Sequence, residues 1–178
     1  MKNKKEQHWA ELFQDEFDKE SDRARIILAA AMLDSALETL LRARLVPTSS
    51  HEDSLLDGPY SPISSFSARI DLAHRIGLIS IKFCRDLHIV RRIRNEFAHN
   101  VIGCSFNSPS VRSRIIELRQ SMIIVEKEPE IRKKFPEGYR GDFQMMITFM
   151  LYYLYHLVEE ITFLEPGKEE MAYQRMSK

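Results

Sequence analysis

The segment Arg91–His99 has the densest grouping in the chain of residues that could do chemistry. It places Arg94, Asn95 and His99 within one short stretch. Histidine can take a proton from a ribose 2′-hydroxyl or give one to the leaving oxygen. Arginine can hold the developing charge on a phosphate with a planar fork of donors. The segment is therefore a candidate catalytic site for metal-free cleavage of RNA, with Arg94 and His99 as acting groups and Asn95 in support.

Helical geometry alone does not bring the two acting groups together. Arg94 and His99 are five positions apart, about 140° around an ideal helix, whereas Asn95 and His99 are four apart and share a neighbouring face. Either the helix loosens at its end near Asn100, or two copies of the helix meet across a dimer axis. A structural role is the alternative: Arg94 would pair with a carboxylate of another helix, and His99 would cap the helix end.

Helices account for almost the whole chain, and no strand pattern competes with them. Apolar spacing, serine N-caps, and prolines and glycines at the ends predict the boundaries. Besides a short helix that ends near Phe17, the predicted helices are about 22–45, 66 or 68 to 76, 81–99, 109–122 and 142–164, with an ordered connection or a short helix over 126–141.

These elements predict an all-α fold, a single-domain helical bundle of about five to seven helices. The predicted organisation is an N-terminal helical extension over 1–20, a helical domain over 21–165 and a polar tail over 166–178. The N-cap candidates are Ser21 or Asp22, Ser65 or Ser67, and Ser80, and Pro109 is predicted at the first position of its helix.

The composition excludes several classes of protein. The chain has 178 residues and a mass of 20.9 kDa, which suits one domain. Lys plus Arg and Asp plus Glu are 26 each, so the net charge of zero argues against a sequence-blind nucleic-acid binder. Two cysteines are too few for a disulfide framework, the charged N-terminus is unlike a secretory signal, and the apolar stretch 143–158 is too short to cross a bilayer. We therefore expect a cytoplasmic protein without a membrane segment.

Two sets of residues resemble known families. The segment Arg94–His99 resembles the Arg-polar-X3-His signature of the HEPN superfamily, all-helical domains that include many metal-independent RNases and often dimerise. Three other stretches resemble the mannitol repressor (MltR) family of the same helical group: Leu55–Gly58, Ser67–Ile70 and Gly77–Ile79. The second resemblance extends over about 21–99 and implies an all-α cytoplasmic bacterial regulator, associated with repression of a carbohydrate operon.

Two main hypotheses of function follow. The one that we favour is a bacterial regulatory protein of the mannitol repressor type, which is not an enzyme and acts mainly through protein–protein contacts. The other is a HEPN-type, toxin-like, metal-independent endoribonuclease that uses Arg94, Asn95 and His99. A transcriptional repressor that itself binds DNA is a third reading.

The expected partners are a second copy of the chain, in a homodimer, and another protein, either a regulator or an antitoxin; RNA is a partner under the enzyme reading. We do not expect specific DNA binding by the chain alone. The stretch 73–80 imitates a helix-turn-helix, but the helix after Gly77 has a stripe of large apolar residues. No cofactor is expected, and no metal site, because Cys84 and His88 share a helix face without a visible second pair of ligands.

Overall fold

The computed structural model describes residues 17, 20–100, 103–121 and 129–167. Over these ranges it is all helical and has no strand, which confirms the predicted all-α bundle. The N-terminal extension (1–20) and the polar tail (166–178) lie almost wholly outside these ranges. Six helices can be delimited: α1 (Asp22–Arg44), α2 (Phe66–Arg75), α3 (Ile81–His99), α4 (Pro109–Arg119), α5 (Pro129–Arg132) and α6 (Gly138–Glu160).

Serine hydroxyls determine where the first three helices begin, as predicted. The side chains of Ser21, Ser65 and Ser80 each accept a hydrogen bond from the backbone N–H three residues later, at 3.1–3.3 Å. Each bond satisfies one of the donors that a helix start leaves free. The fourth helix begins after Ser108 with Pro109 in its first turn, where the missing N–H of proline costs nothing.

A tight turn joins α2 to α3. Gly77 has a φ of 76°, which only glycine adopts at no cost, and its N–H donates to the His74 carbonyl at 3.0 Å. The next N–H, of Leu78, donates to the Ala73 carbonyl at 2.9 Å, which completes a Schellman motif. The turn therefore folds α2 back against α3, and these two helices pack together.

The last long helix begins four residues before the predicted start at 142. It includes Gly138 and Gly141, and a glycine pair reads as a loop in sequence. Gly141 is buried, and a Cβ at this position would collide with the backbone carbonyl of Pro136. Glycine is therefore needed here for close backbone approach inside a helix, and does not mark a break.

Two other helix ends also differ from the prediction. α6 ends at Glu160 and not at 164, because the backbone that follows is extended and the Leu164 N–H donates to the Arg44 carbonyl at 2.6 Å. Tertiary hydrogen bonds thus replace another helical turn. α4 ends at Arg119, before the predicted end at Met122, and Met122 itself lies outside the described residues.

The core lies between the two 23-residue helices, α1 and α6, which pack on each other. Helix α3 packs on α1, and α4 packs on both α6 and α3. A row of four aromatic rings, with neighbouring centroids 5.4–6.3 Å apart, ties these elements together: Phe17, Phe143, Phe106 and Phe97. Within the described ranges no helix is long and apolar enough to cross a membrane; α6 is instead a core helix.

Candidate functional site

The residues of the Arg–His motif lie on the last turns of α3. One face of this helix is fully buried, through Leu87, Val90, Ile93 and Phe97. Because these apolar side chains fix the rotation of the helix, the motif residues between them must turn outward. Arg94 and His99 are exposed and Asn95 is half-buried, which is the distribution of residues at a surface site.

Arg94 and Asn95 line an open cavity of about 460 Å³, which we call the motif cavity. Arg91 joins them from α3, and the opposite wall comes from α1 and from the start of α2, including the serines at 64, 65 and 67. The Arg94 Nη1 donates to the Asn95 Oδ1 at 3.0 Å. The structure therefore brings together the first two predicted site residues, Arg94 and Asn95.

The motif cavity keeps an excess of positive charge. Its one acidic lining residue, Asp34, accepts from Arg69 Nη1 at 2.7 Å, and Arg69 also pairs with Glu38 at 2.8 Å. In the described part of the chain Arg94 has no carboxylate within salt-bridge distance, and the buried Nε of Arg91 has no hydrogen-bond partner. The exposed guanidinium of Arg94 is thus available to an anionic ligand or partner, and Arg91 lies beside it in the cavity wall.

His99, the third predicted site residue, does not line the motif cavity. It is exposed at the last position of α3, and its imidazole makes no hydrogen bond to any described residue. The helix ends with the Asn100 N–H donating to the Glu96 carbonyl at 3.0 Å, and the alternative role of His99 as a side-chain cap is not found. The alternative structural role of Arg94, a pairing with a carboxylate of another helix, is likewise not found among the described residues.

Polar contacts from two other helices hold the end of α3 in place. Glu96, inside the motif, accepts from Arg114 of α4. Arg23 of α1 donates to the carbonyls of Phe97 and Asn100, at 2.6 Å each. A cation at the last carbonyls of a helix interacts favourably with the negative end of the helix dipole. These contacts fix the position of the motif and were not predicted from the sequence.

A second cluster of chemically capable groups lies between α2 and α3. The pair Cys84 and His88 was identified in the sequence, but its third member was not: Asp71 of α2 places a carboxylate beside both. Burial raises the pKa of the Cys84 thiol, and the charge of Asp71 raises it further. No sequence periodicity links Asp71 to α3, because the contact depends on how the Gly77 turn folds the two helices together.

The fold and site thus define a small all-helical domain with a cationic surface cavity beside its Arg–His motif. No protein-family model matches the chain, and no curated protein matches it. A chain in the X-ray structure of the MtlR–HPr complex from Escherichia coli is similar, with a TM-score of 0.61 and 16% sequence identity. The match covers 83% of this chain and 98% of that chain. At this identity the likeness shows a shared fold, and the predicted MltR-like fold is confirmed.

The different surroundings of two arginines lead to a prediction about stability. We expect Arg94→Ala to change the free energy of unfolding by less than about 0.5 kcal/mol, because its side chain is exposed and has no carboxylate partner among the described residues. Arg69→Ala should lower the free energy of unfolding by about 1–3 kcal/mol, because Arg69 is buried and its loss leaves Asp34 without its ion-pair partner. Urea denaturation measures the free energy of unfolding of both variants. If Arg94→Ala lowered it as much as Arg69→Ala, Arg94 would have a structural role.

Proposed function

We propose that this protein is a cytoplasmic regulatory protein of the mannitol repressor type, which acts by binding another protein. The observation that carries the proposal is the extent of the shared fold, since the match covers 98% of a chain from the MtlR–HPr complex. A fold shared over that length offers a partner the same helical faces. At 16% identity the residues on those faces differ, so the binding surface has to be argued from this chain.

The surface that we infer for the partner is the rim of the motif cavity. Ile27 of α1 is 42% exposed there, and Ala31 is exposed one turn further along. Arg91 and Arg94 lie on the other side of the opening. Exposed apolar groups beside arginines are typical of protein interfaces, where arginine is enriched. The surface suits a partner that presents a carboxylate or phosphate next to an apolar side chain.

HPr of Escherichia coli is the first partner to test. We expect binding with a Kd in the micromolar range or tighter, and Arg94→Glu should weaken it at least tenfold, because the reversed charge repels an anionic group. Titration calorimetry measures both affinities. Arg140→Glu is the matched control, because Arg140 is exposed and does not line the motif cavity. Absence of binding at about 100 µM HPr would contradict the choice of partner.

We also propose that two copies of the chain associate. The last helix carries many aromatic and methionine side chains, and a homodimer would cover part of this apolar surface with a second chain. Met145, Met146 and Met150 are instead buried within the chain's own fold. Tyr152 and Tyr153 are 54% and 40% exposed, so these two rings are the apolar surface of α6 that a second copy would cover.

Light scattering at micromolar concentration tests the association. We expect a particle of about twice 20.9 kDa, and Tyr152→Glu should yield the single chain, because a charge would be buried in the contact. Tyr60→Glu is the control, since Tyr60 is 97% exposed and packs on nothing that a change could disturb. A wild-type mass of one chain would exclude the homodimer.

A metal-independent endoribonuclease of the HEPN type is the second candidate function. It is supported by the state of Arg94, whose guanidinium is exposed, bound to Asn95 and unpaired with any described carboxylate. Such a group can hold a phosphate. His99 lies outside the cavity, so its use as the proton-transfer group requires a shift of the helix end or a His99 from the second copy.

Cleavage of single-stranded RNA by untagged protein, free of other proteins, tests this candidate. If the wild type cleaves, His99→Ala should lower the rate by about 10²–10⁴-fold, because the proton-transfer group is lost. Arg94→Lys should also lower the cleavage rate, since the point charge of lysine does not replace the bidentate hydrogen bonding of the guanidinium. Chelators should have no effect. Arg140→Lys is the control for a change of arginine elsewhere on the surface. RNA that stays intact with wild-type protein would leave only the regulator.

Direct DNA binding is the reading with the least support. Its recognition helix would be α3, and this helix buries a residue in every turn from Cys84 to Phe97. A recognition helix must leave one face free for base edges. Because α3 also packs against three other helices, our expectation remains that the chain alone does not bind a specific duplex sequence.

A further inference from the structure

We propose that Asp71, Cys84 and His88 form a binding site for one divalent transition-metal ion, of which Zn²⁺ is the best match. Cys84 and His88 lie one turn apart on the same face of α3, and Asp71 reaches them from α2. A carboxylate oxygen, the Cys84 sulfur and a ring nitrogen of His88 all lie within 4.8 Å of one another. The site is separate from the motif cavity, which none of the three residues lines.

The distances suit a tetrahedral ion after a small adjustment. Ligand atoms on one zinc ion stand about 3.3–3.7 Å apart, given bond lengths of about 2.0–2.3 Å. The His88 Nε2 and the Asp71 Oδ1 are already 3.0 Å apart. Closing the rest of the cluster takes about 1 Å of side-chain movement, and Asp71 is free to supply it, because its side chain is 61% exposed.

The donor set selects the type of metal. A thiolate and an imidazole prefer Zn²⁺ and its neighbours, whereas an all-oxygen site would prefer Mg²⁺ or Ca²⁺. On binding, the Cys84 thiol gives its proton to solvent and the sulfur bonds to the metal, while His88 binds as the neutral ring. Three protein ligands leave a fourth position for water on the open side, at Asp71.

The state of the His88 ring is a further reason for the proposal. Its Nε2 already contacts Asp71, so the nitrogen that would bind the ion is directed toward the cluster. A cation at this point would also offset the negative charge of Asp71, which now faces a buried, protonated thiol.

The position of the cluster gives the ion a structural consequence. Asp71 precedes the Gly77 turn and the other two ligands follow it, so one ion would clamp α2 to α3 across their hairpin. A ligand that binds only the folded chain stabilises it by an amount that grows with the logarithm of its concentration relative to Kd. Metal binding should therefore raise the melting temperature of the protein.

The test uses full-length protein without a histidine tag, stripped by chelator and titrated with Zn²⁺ or Co²⁺. We expect one ion per chain by competition with a chromogenic chelator, a thiolate-to-cobalt absorption band with Co²⁺, and a rise of several degrees in melting temperature with Zn²⁺. Cys84→Ala and His88→Gln should each lower the Zn²⁺ affinity at least tenfold, and Asp71→Asn should lower it similarly. Cys84→Ala should also abolish the cobalt band.

Two variants serve as matched controls. Cys104→Ala removes the other cysteine, and His156→Gln removes a histidine that pairs with Glu160 on the surface; neither should change the affinity. If the changes to Cys84 or His88 disturb folding, Asp71→Asn still tests the site, because Asp71 is exposed and its replacement should leave the fold intact. Zn²⁺ affinity that is unchanged by Asp71→Asn and Cys84→Ala, or a cobalt complex without the thiolate band, would overturn the proposal.

Discussion

The burial of Phe97 and the row of rings behind it sets the geometry of the rest of the molecule. Phe97 contacts Phe106, which contacts Phe143 of α6, and that ring contacts Phe17. A buried aromatic side chain contributes several kcal/mol, so α3 cannot rotate about its axis without losing roughly that much. Every residue between the buried positions of α3 therefore has a fixed direction. For this reason Arg94 faces the motif cavity, and Cys84 and His88 face Asp71.

Arginine provides the second set of constraints. Arg69 joins α2 to α1 through Asp34 and Glu38, and Arg23 joins α1 to the end of α3. The planar fork of donors allows one arginine to hold two acceptors on another helix, which lysine does less well. The arginines of the motif cavity differ because the described chain gives them no carboxylate. This contrast distinguishes arginines that hold the fold from those available to bind.

The two function hypotheses make different demands on the same residues. A regulator needs the rim of the motif cavity as a surface, and the position of His99 outside it is then of no consequence. An RNase needs Arg94 and His99 on one phosphate, which this single chain does not provide without a shift of the helix end. The shared fold with a chain from the MtlR–HPr complex is compatible with the regulator hypothesis, and that hypothesis requires no rearrangement of α3.

Local rules made most of the secondary structure predictable. The spacing of apolar residues, the caps at Ser21, Ser65 and Ser80 and the stop at Gly77 act over at most five residues, so the sequence alone contains them. The same holds for the motif, whose residues share one helix. Local rules gave the wrong result at Gly141. They read this glycine as a turn, whereas it is needed because the Pro136 carbonyl leaves no room for a Cβ.

Only the tertiary structure decided which side chains meet across helices. The approach of Asp71 to Cys84 and His88, the hold of Arg114 on Glu96 and the absence of His99 from the motif cavity all depend on the rotation and register of packed helices. Those quantities are set by side-chain volumes distant in the chain, which no periodicity encodes. The sequence by itself therefore determined the helices and the residues that they carry, while packing determined which of those residues act together.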